Sequence, residues 1–577
     1  MDDALSRRLA GEIEHSDEPS DEDSSTDNFG AQMIGGLAGL SALHASGWEP
    51  PADLEWRDEE KDWLATPTIE KEASGSRIDG RTLAIAAGVF LLAVLPRLFV
   101  LFFVTDPQNP GLGWYGDTFH HWQIAILSKD IGFSEGFLRL WDFKGLEFFW
   151  GLLHPLVLIG LFNLTGSVSI VIPRLVSAIG ASIAMVMFFF LLRRYFNVKV
   201  AIAGVLLAIV NPVAIFSDGI GMQEPLGLIF LLGGMLLYPK RIFWTGVFFA
   251  VAGLVRSEYW IFGAGLMVVG LIIERGWDRR IILAGGWLIP SLAYAKYLLD
   301  WTGNPIYPVY WNFMGNAAGE WMVEAPLTPD RVIARWTARI AIVIAAAAAV
   351  WVLKNRKQYA PFILLGLGNV LFLGYMWGFS SYIHGFIPRF IYDRLMVVPY
   401  LYFGFFIAIG LFYILPKYGG GKALQGLGWV AVVGIATLSQ VAWIGLMGYY
   451  DGIRPIFEEE KLVSAQIAEK YEGGTIAIPE DRPAMVYALI EYHGIEARNL
   501  IGQMYDPFAY MSGDPFADWG QNRELLADWF ATNDIQLLVY DNKKGNYNNL
   551  MEREREWFHR LGSGFRDEIK IYEVNIG

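Results

Sequence analysis

The chain has 577 residues, 54% hydrophobic and 15% aromatic against only 18% charged, a balance too apolar for soluble packing alone. It contains no cysteine, which excludes disulfides, thiolate metal sites and thiol nucleophiles and leaves the redox compartment open. Residues 1–80 carry 20 Asp plus Glu against 6 Lys plus Arg, a balance of −14 that equals the net charge of the whole chain.

The core of that first segment, EHSDEPSDEDSSTDN (14–28), combines low hydrophobicity with like-charge repulsion, so residues 1–80 are predicted to be a disordered acidic cytoplasmic tail. The Gly/Ala-rich piece at 30–46 is too short to span, and the segment lacks the pattern of a cleavable signal peptide.

Apolar runs follow near 82–104, 168–192, 198–216, 224–239, 242–256, 259–274, 280–298, 336–353, 359–378, 391–415 and 425–447. They predict a multispanning α-helical membrane domain of about 11 transmembrane helices over residues 81–449. The connections LLRRYFNVK, YPKR, ERGWDRR, LKNRK and LPKYGGGK alternate with connections poorer in Lys and Arg. The positive-inside rule makes the basic set cytoplasmic, with the N-terminus inside and residues 450–577 outside. The segment 106–167 is then a long first external loop, with SKDIGFSEGFLRLWDF and LEFFWGLLHPLVLIGLF read as short amphipathic helices in the interface. A span at 147–162 is set aside because His154-Pro155 interrupts it and because it would invert every later loop.

The middles of these runs carry few ionisable groups. Arg174, Glu224, Arg256, Glu258, Lys296, Arg339, Arg389, Asp393 and Arg394 fall instead at outer ends or in outer loops. Taken singly, each reads equally well as a snorkelling interface residue; taken together they point to a polar site at the outer membrane surface.

The order YGDTFHHW, LLHPLVLIGLF, GSVSIVIPRLVSAIGASIAMVMFFFLLRRYF, GMQEPLGLIF, GNPIYP and RFIYDRLMVVPY resembles that of the GT-C glycosyltransferases, most nearly the protein O-mannosyltransferase and aminoarabinose-transferase branch. The resemblance covers roughly residues 82–415. It implies a GT-C fold and transfer of a sugar from a polyprenyl (dolichyl or undecaprenyl) phosphate to a hydroxyl of a protein, glycan or lipid acceptor at the outer face. Such chemistry needs a base for the acceptor hydroxyl, and Asp117 is placed for it; attack on the anomeric carbon then inverts configuration. The leaving phosphate needs hydrogen-bond donors or cations, for which His120, His121, His154 and Arg389 are candidates. The resemblance puts His154 at the donor phosphate and Glu224 in a second external loop, with Arg256 and Glu258 beside it on the acceptor side. No other cofactor is implied. A divalent metal is left open at Glu224, although no His or carboxylate pair has a compact ligand spacing.

Plainer readings stand beside these. Asp117 suits a helix N-cap, Glu224-Pro225 suits a helix start, and Arg256 and Glu258 suit a local pair across a tight turn. His120 and His121 are adjacent on a helix and cannot both face one way, so one is assigned to packing. Asp117-Thr118 stands where protein O-mannosyltransferases carry Asp-Glu, which weakens mannose transfer to protein as the specific reaction. The oligosaccharyltransferase motif W-W-D-Y-G is absent, ADWGQN (517–522) being only a weak likeness, so transfer of a lipid-linked glycan is the alternative. A flippase or transporter is the alternative from another class; its broken helices and mid-membrane charges are not evident in the sequence.

In residues 450–577, TIAIP, IQLLVYD and EIKIYEVN read as strands, while PAMVYALIEYHG, NRELLADWFATN and NLMEREREWFHRL read as amphipathic helices. The alternation predicts a soluble extracytoplasmic α/β domain with a partly parallel sheet. Expected partners are the polyprenyl-phosphate sugar, the acceptor and membrane lipids; no nucleic acid is expected, and the oligomeric state is not readable.

Overall fold

In the computed structural model the described residues are 79–104, 117–130, 150–274, 276–310, 397–414, 426–438, 456–479, 482–502, 519–541, 554–564 and 568–576. The expected acidic tail, the runs at 336–353 and 359–378, and Arg339, Arg389, Asp393 and Arg394 lie outside them.

Helix α1 (Gly80–Phe99) starts at Asp79, whose carboxylate accepts from the Thr82 amide at 2.9 Å, and it ends in a π turn over Val100–Val104. Helices α2 (Asp117–Asp130) and α3 (Leu153–Thr165) lie in the first expected external segment. The bundle continues through α4 (Val171–Tyr195), α5 (Val198–Ile209), α6 (Pro212–Ile220), α7 (Glu224–Leu237), α8 (Ile242–Gly253), α9 (Ser257–Ile273) and α10 (Trp277–Thr302). Helices α11 (Val397–Ile409) and α12 (Gly426–Leu438) complete the described part.

Among the described residues three helices are long and apolar enough to cross a membrane: Gly80–Phe103, Val171–Tyr195 and Trp277–Thr302. A fourth span results if α5 and α6 are joined; the run at 198–216 that reads as one span is two helices bent by 62°. Asn211-Pro212 is the reason, because a proline lacks the amide that would continue the ladder and disfavours helical backbone in the residue before it. Glycines bring α8 and α10 together. A Cβ on Gly286 of α10 would strike the Phe243 carbonyl of α8, and one on Gly246 would strike the Leu283 carbonyl in return.

The two ends of the bundle differ in charge. At one end Arg193 of α4 reaches Thr82 of α1, Arg194 donates to the carbonyls of Leu236 (2.7 Å) and Tyr238 (3.2 Å), and Arg279 donates to Pro239 (3.1 Å) while pairing with Glu274. These are the connections predicted to be cytoplasmic. The opposite end holds the first turns of α4, α7 and α9, with Arg174, Glu224 and Arg256.

Beyond the bundle, α13 (Ile456–Lys470) and α14 (Pro483–Glu491) pack on a sheet of β1 (Thr475–Ile478), β2 (Leu500–Gly502), β3 (Ile535–Asp541), β4 (Phe558–Gly564) and β5 (Ile569–Val574). Helix α15 (Trp519–Thr532) precedes β3. The strand order is β2-β1-β3-β5-β4, parallel from β2 to β3 and antiparallel from β3 to β4. Of the helix read over NLMEREREWFHRL (549–561), residues 549–553 lie outside the described residues and the rest is corrected: 555–557 form a 3₁₀ turn and Phe558 begins β4, because its backbone pairs with Val574 of β5.

Helices α2 and α3 share one continuous core with this α/β region. Phe119, Trp122, Ile126, Trp150, Leu158 and Phe162 join Val463, Ile467, Met485, Tyr487 and Ile571. Tyr487 of α14 is fully buried, with its ring 4.9 Å from Trp122 and 5.6 Å from Phe119. The helix that begins at Asp117 is therefore held between the bundle and the sheet region.

Candidate active site

Seven of the eight residues singled out in the sequence lie in described elements, and they meet in this intermediate layer. Asp117 and His120 are half-buried in the first turn of α2, whereas Thr118 and His121 are fully enclosed. The Trp150 ring lies 4.6 Å from His121 and 5.3 Å from His120, so both adjacent imidazoles reach the same indole. His154 stands edge-on to His121 at 5.2 Å. The two histidines differ in burial: His121 is packed in the interior and His120 is half-exposed, although both rings reach Trp150.

His154 is fully buried, and neither ring nitrogen has a hydrogen-bond partner among the described residues. Burial lowers its pKa to about 4, because a desolvated imidazolium is costly; at neutral pH the ring is uncharged. It can therefore serve a phosphate oxygen as an N–H donor, not as a cation.

Gly151 explains how this segment approaches the rest. Its φ of 92° is open to glycine, and a Cβ there would collide with the Leu254 carbonyl. The Leu153 amide donates to the same Leu254 carbonyl at 3.1 Å. Two residues later Arg256 begins the acidic cluster: its Nη1 donates to Glu224 at 2.9 Å and its Nε to Glu258 at 2.6 Å. All three side chains are buried. Arg256 and Glu258 do form the local pair that the sequence suggests, yet the same guanidinium also bridges to Glu224 across 32 residues. Tyr259 adds a hydrogen bond from its hydroxyl to the Glu224 carbonyl at 2.8 Å. Asp117 lies near enough for its charge to act on Arg256.

Several contributors are not evident from the sequence. Trp150 packs its ring at a tilt against both histidines, Gln223 with its amide nitrogen turned inward donates to the carbonyls of Trp150 (3.3 Å) and Val255 (3.0 Å), and Thr118 donates to the Met222 sulfur at 3.3 Å. Arg97 of α1 pairs with Asp218 of α6 at 2.8 Å, both buried, although the middles of the runs read as nearly free of charge. The signal was present: a lone Arg inside an apolar run marks a polar contact. Lys296, grouped with the outer set by position, is instead exposed and pairs with Asp300 at 2.8 Å. Among the described residues no group of three His, Asp or Glu side chains is arranged to hold a metal ion.

The fold and site define a class: a helical integral membrane protein with a sheet region beyond the bundle and a buried histidine–carboxylate layer between them. No family model and no curated protein matches the sequence. Among solved structures, the chain is similar to an archaeal oligosaccharyltransferase AglB from Archaeoglobus fulgidus, in complex with an inhibitory peptide and a dolichol-phosphate, at 10% identity and a TM-score of 0.46, covering 83% of this chain and 71% of that one. It is also similar to ArnT from Cupriavidus metallidurans, in the apo state at 12% identity, TM-score 0.45, 85% of this chain and 96% of that one. ArnT bound to undecaprenyl phosphate gives 14% identity and a TM-score of 0.38 over 85% and 97% of the two chains. Likeness at this level leaves function to be argued from the site.

Proposed function

We propose that the chain is a glycosyltransferase that moves a sugar from a polyprenyl-phosphate donor to an acceptor hydroxyl with inversion of configuration. The observation that carries this reading is the convergence, in one layer at the end of the bundle opposite its basic connections, of Asp117 with His120, His121, His154, Glu224, Arg256 and Glu258. A donor anchored in lipid needs its reacting carbon at that level, and an acceptor from the aqueous side needs a carboxylate there.

Asp117 takes the proton of the acceptor hydroxyl as the oxygen attacks the anomeric carbon. The bond from that carbon to the phosphate oxygen breaks, and its electron pair leaves on the polyprenyl phosphate. Neutral His154 and the neighbouring imidazoles donate N–H groups to the phosphate oxygens as charge develops. Arg256, clamped by Glu224 and Glu258, orients the acceptor side. Arg389 is proposed as a further phosphate contact on its sequence position alone. The same proposal carries about 11 spans, an N-terminal tail at 1–80 on the cytoplasmic side, a membrane domain at 81–449 and an external domain at 450–577. The gathering of Arg193, Arg194 and Arg279 at one end supports that orientation.

The test is transfer of radiolabelled sugar from a panel of polyprenyl-phosphate monosaccharides by detergent-purified protein. Asp117→Asn is nearly isosteric and is expected to lower single-turnover transfer by about 10²–10⁴. Full turnover by that variant sinks the assignment of the base.

A further inference from the structure

The connection from Asp218 to Glu224 reaches α1, α4, the first turn of α2, Trp150 and Arg256. Asp218 pairs with Arg97 of α1 at 2.8 Å. Gly221, at φ 97°, lies against the Arg174 backbone, so close that a Cβ would sit 3.1 Å from its amide nitrogen. The Met222 carbonyl accepts from Ser177 of α4, and its sulfur accepts from Thr118, the neighbour of Asp117. Gln223 reaches Trp150 and Val255, and Glu224 ends the series on Arg256.

At the start of this connection there is little slack. A Cβ on Gly219 would lie 2.7 Å from the Val100 side chain and 3.2 Å from the Arg97 carbonyl, so the last turn of α6 lies flush on α1. The cavity beside the pair, lined by Arg97, Asn211, Asp218 and Pro225 among others, measures about 20 Å³, space for roughly one water. Arg97 is further fixed by donating Nη1 to the Ala93 carbonyl at 2.8 Å. Packed apolar side chains would hold two helices together at least as well as a buried ion pair does; what a directional pair adds is a single register.

We propose that Arg97 and Asp218 are a positioning pair: by fixing the end of α6 on α1 they set the register of the 219–224 connection, and through it the placement of Thr118, Glu224 and Arg256 about Asp117. Neither residue touches the reacting groups. The kinetic consequence rests on the transfer reading above; the geometric consequence does not.

The experiment uses both. The chain is free of cysteine, so Thr118→Cys with Met222→Cys gives a single pair for a short bis-thiol cross-linker, whose yield reports the seating of the connection without any reaction being catalysed. Arg97→Gln and Asp218→Asn are each expected to lower cross-linking and to lower kcat roughly a hundredfold with the donor KM little changed, the mark of misplaced groups and not of lost binding. The exchange Arg97→Asp with Asp218→Arg is expected to regain most of both. Single variants that cross-link and turn over like wild type overturn the proposal, as does an exchange that folds but regains neither. If the single variants fail to fold, an exchange that restores folded, cross-linking protein supports the pair, and one that does not overturns it. Should wild type transfer no sugar from any donor of the panel, the transfer reading falls while the cross-link still decides the pair.

Discussion

His154 gives a stability effect that can be worked through from its surroundings. Unfolded, the imidazole titrates at its ordinary pKa of 6.5; in the folded chain complete burial lowers this to about 4. The folded state thus favours the neutral ring, so the contribution is fully present above pH 6.5 and is lost as pH falls toward about 4. With about 1.4 kcal/mol for each pH unit of separation, the total is roughly 3 kcal/mol, lost nearly evenly across that window. The comparison that isolates it is thermal melting of wild type and His154→Gln in the same detergent from about pH 8 down to about pH 4.5. Wild type is expected to lose stability below pH 6.5 faster than the variant, since glutamine has no proton to gain. Parallel melting curves across the range would refute the reasoning, because a buried, unpartnered imidazole cannot be indifferent to protonation.

Three further expectations follow from packing and charge. Arg256→Gln leaves Glu224 and Glu258 buried without their cation and is expected to cost about 3–5 kcal/mol by thermal melting, much of which adding Glu224→Gln and Glu258→Gln restores without restoring transfer. Tyr487→Ala opens a cavity against Trp122 and Phe119, so a loss of about 3–5 kcal/mol and protease sensitivity in the 117–130 helix are expected, the latter read by the positions of the cuts. Gly286→Ala forces α8 and α10 apart at Phe243 and is expected to lower stability by about 1–3 kcal/mol, whereas Gly285→Ala, with open space at its Cβ, leaves the melting temperature unchanged.

The hydropathy of the chain shows most helix positions: the runs near 224–239, 242–256 and 259–274 correspond to Glu224–Leu237, Ile242–Gly253 and Ser257–Ile273. It does so because an apolar environment demands internally bonded backbone, leaving few conformations to choose among. The bend at Asn211-Pro212 was written in a single dipeptide that hydropathy averages away. Strand β4 is different: RLGSG has no strong strand preference of its own and is recruited by pairing with β5, a tertiary effect that local pattern cannot carry. At the site, the residue types were legible: His121 and His154 meet at 5.2 Å, and Glu224 meets Arg256 at 2.9 Å. The local pair of Arg256 and Glu258 was legible; the long-range pairs were not, since Arg256 also meets Glu224 across 32 residues and Arg97 meets Asp218 across 121. Side-chain pairing over such separations is decided by helix placement, which composition does not encode.

The core shared by α2, α3 and the sheet region bears on how the molecule is made. Trp122 and Tyr487 belong to opposite parts of the chain, so during synthesis the helix that begins at Asp117 must wait, its apolar surface uncovered, until the last strands have been translated and paired. A ribosome-bound intermediate carries all the candidate reactive groups but not the support that orders them. The support for that helix would then form only once β5 has emerged and paired, and a product cut before it would lack that support even with every histidine and carboxylate of the layer intact.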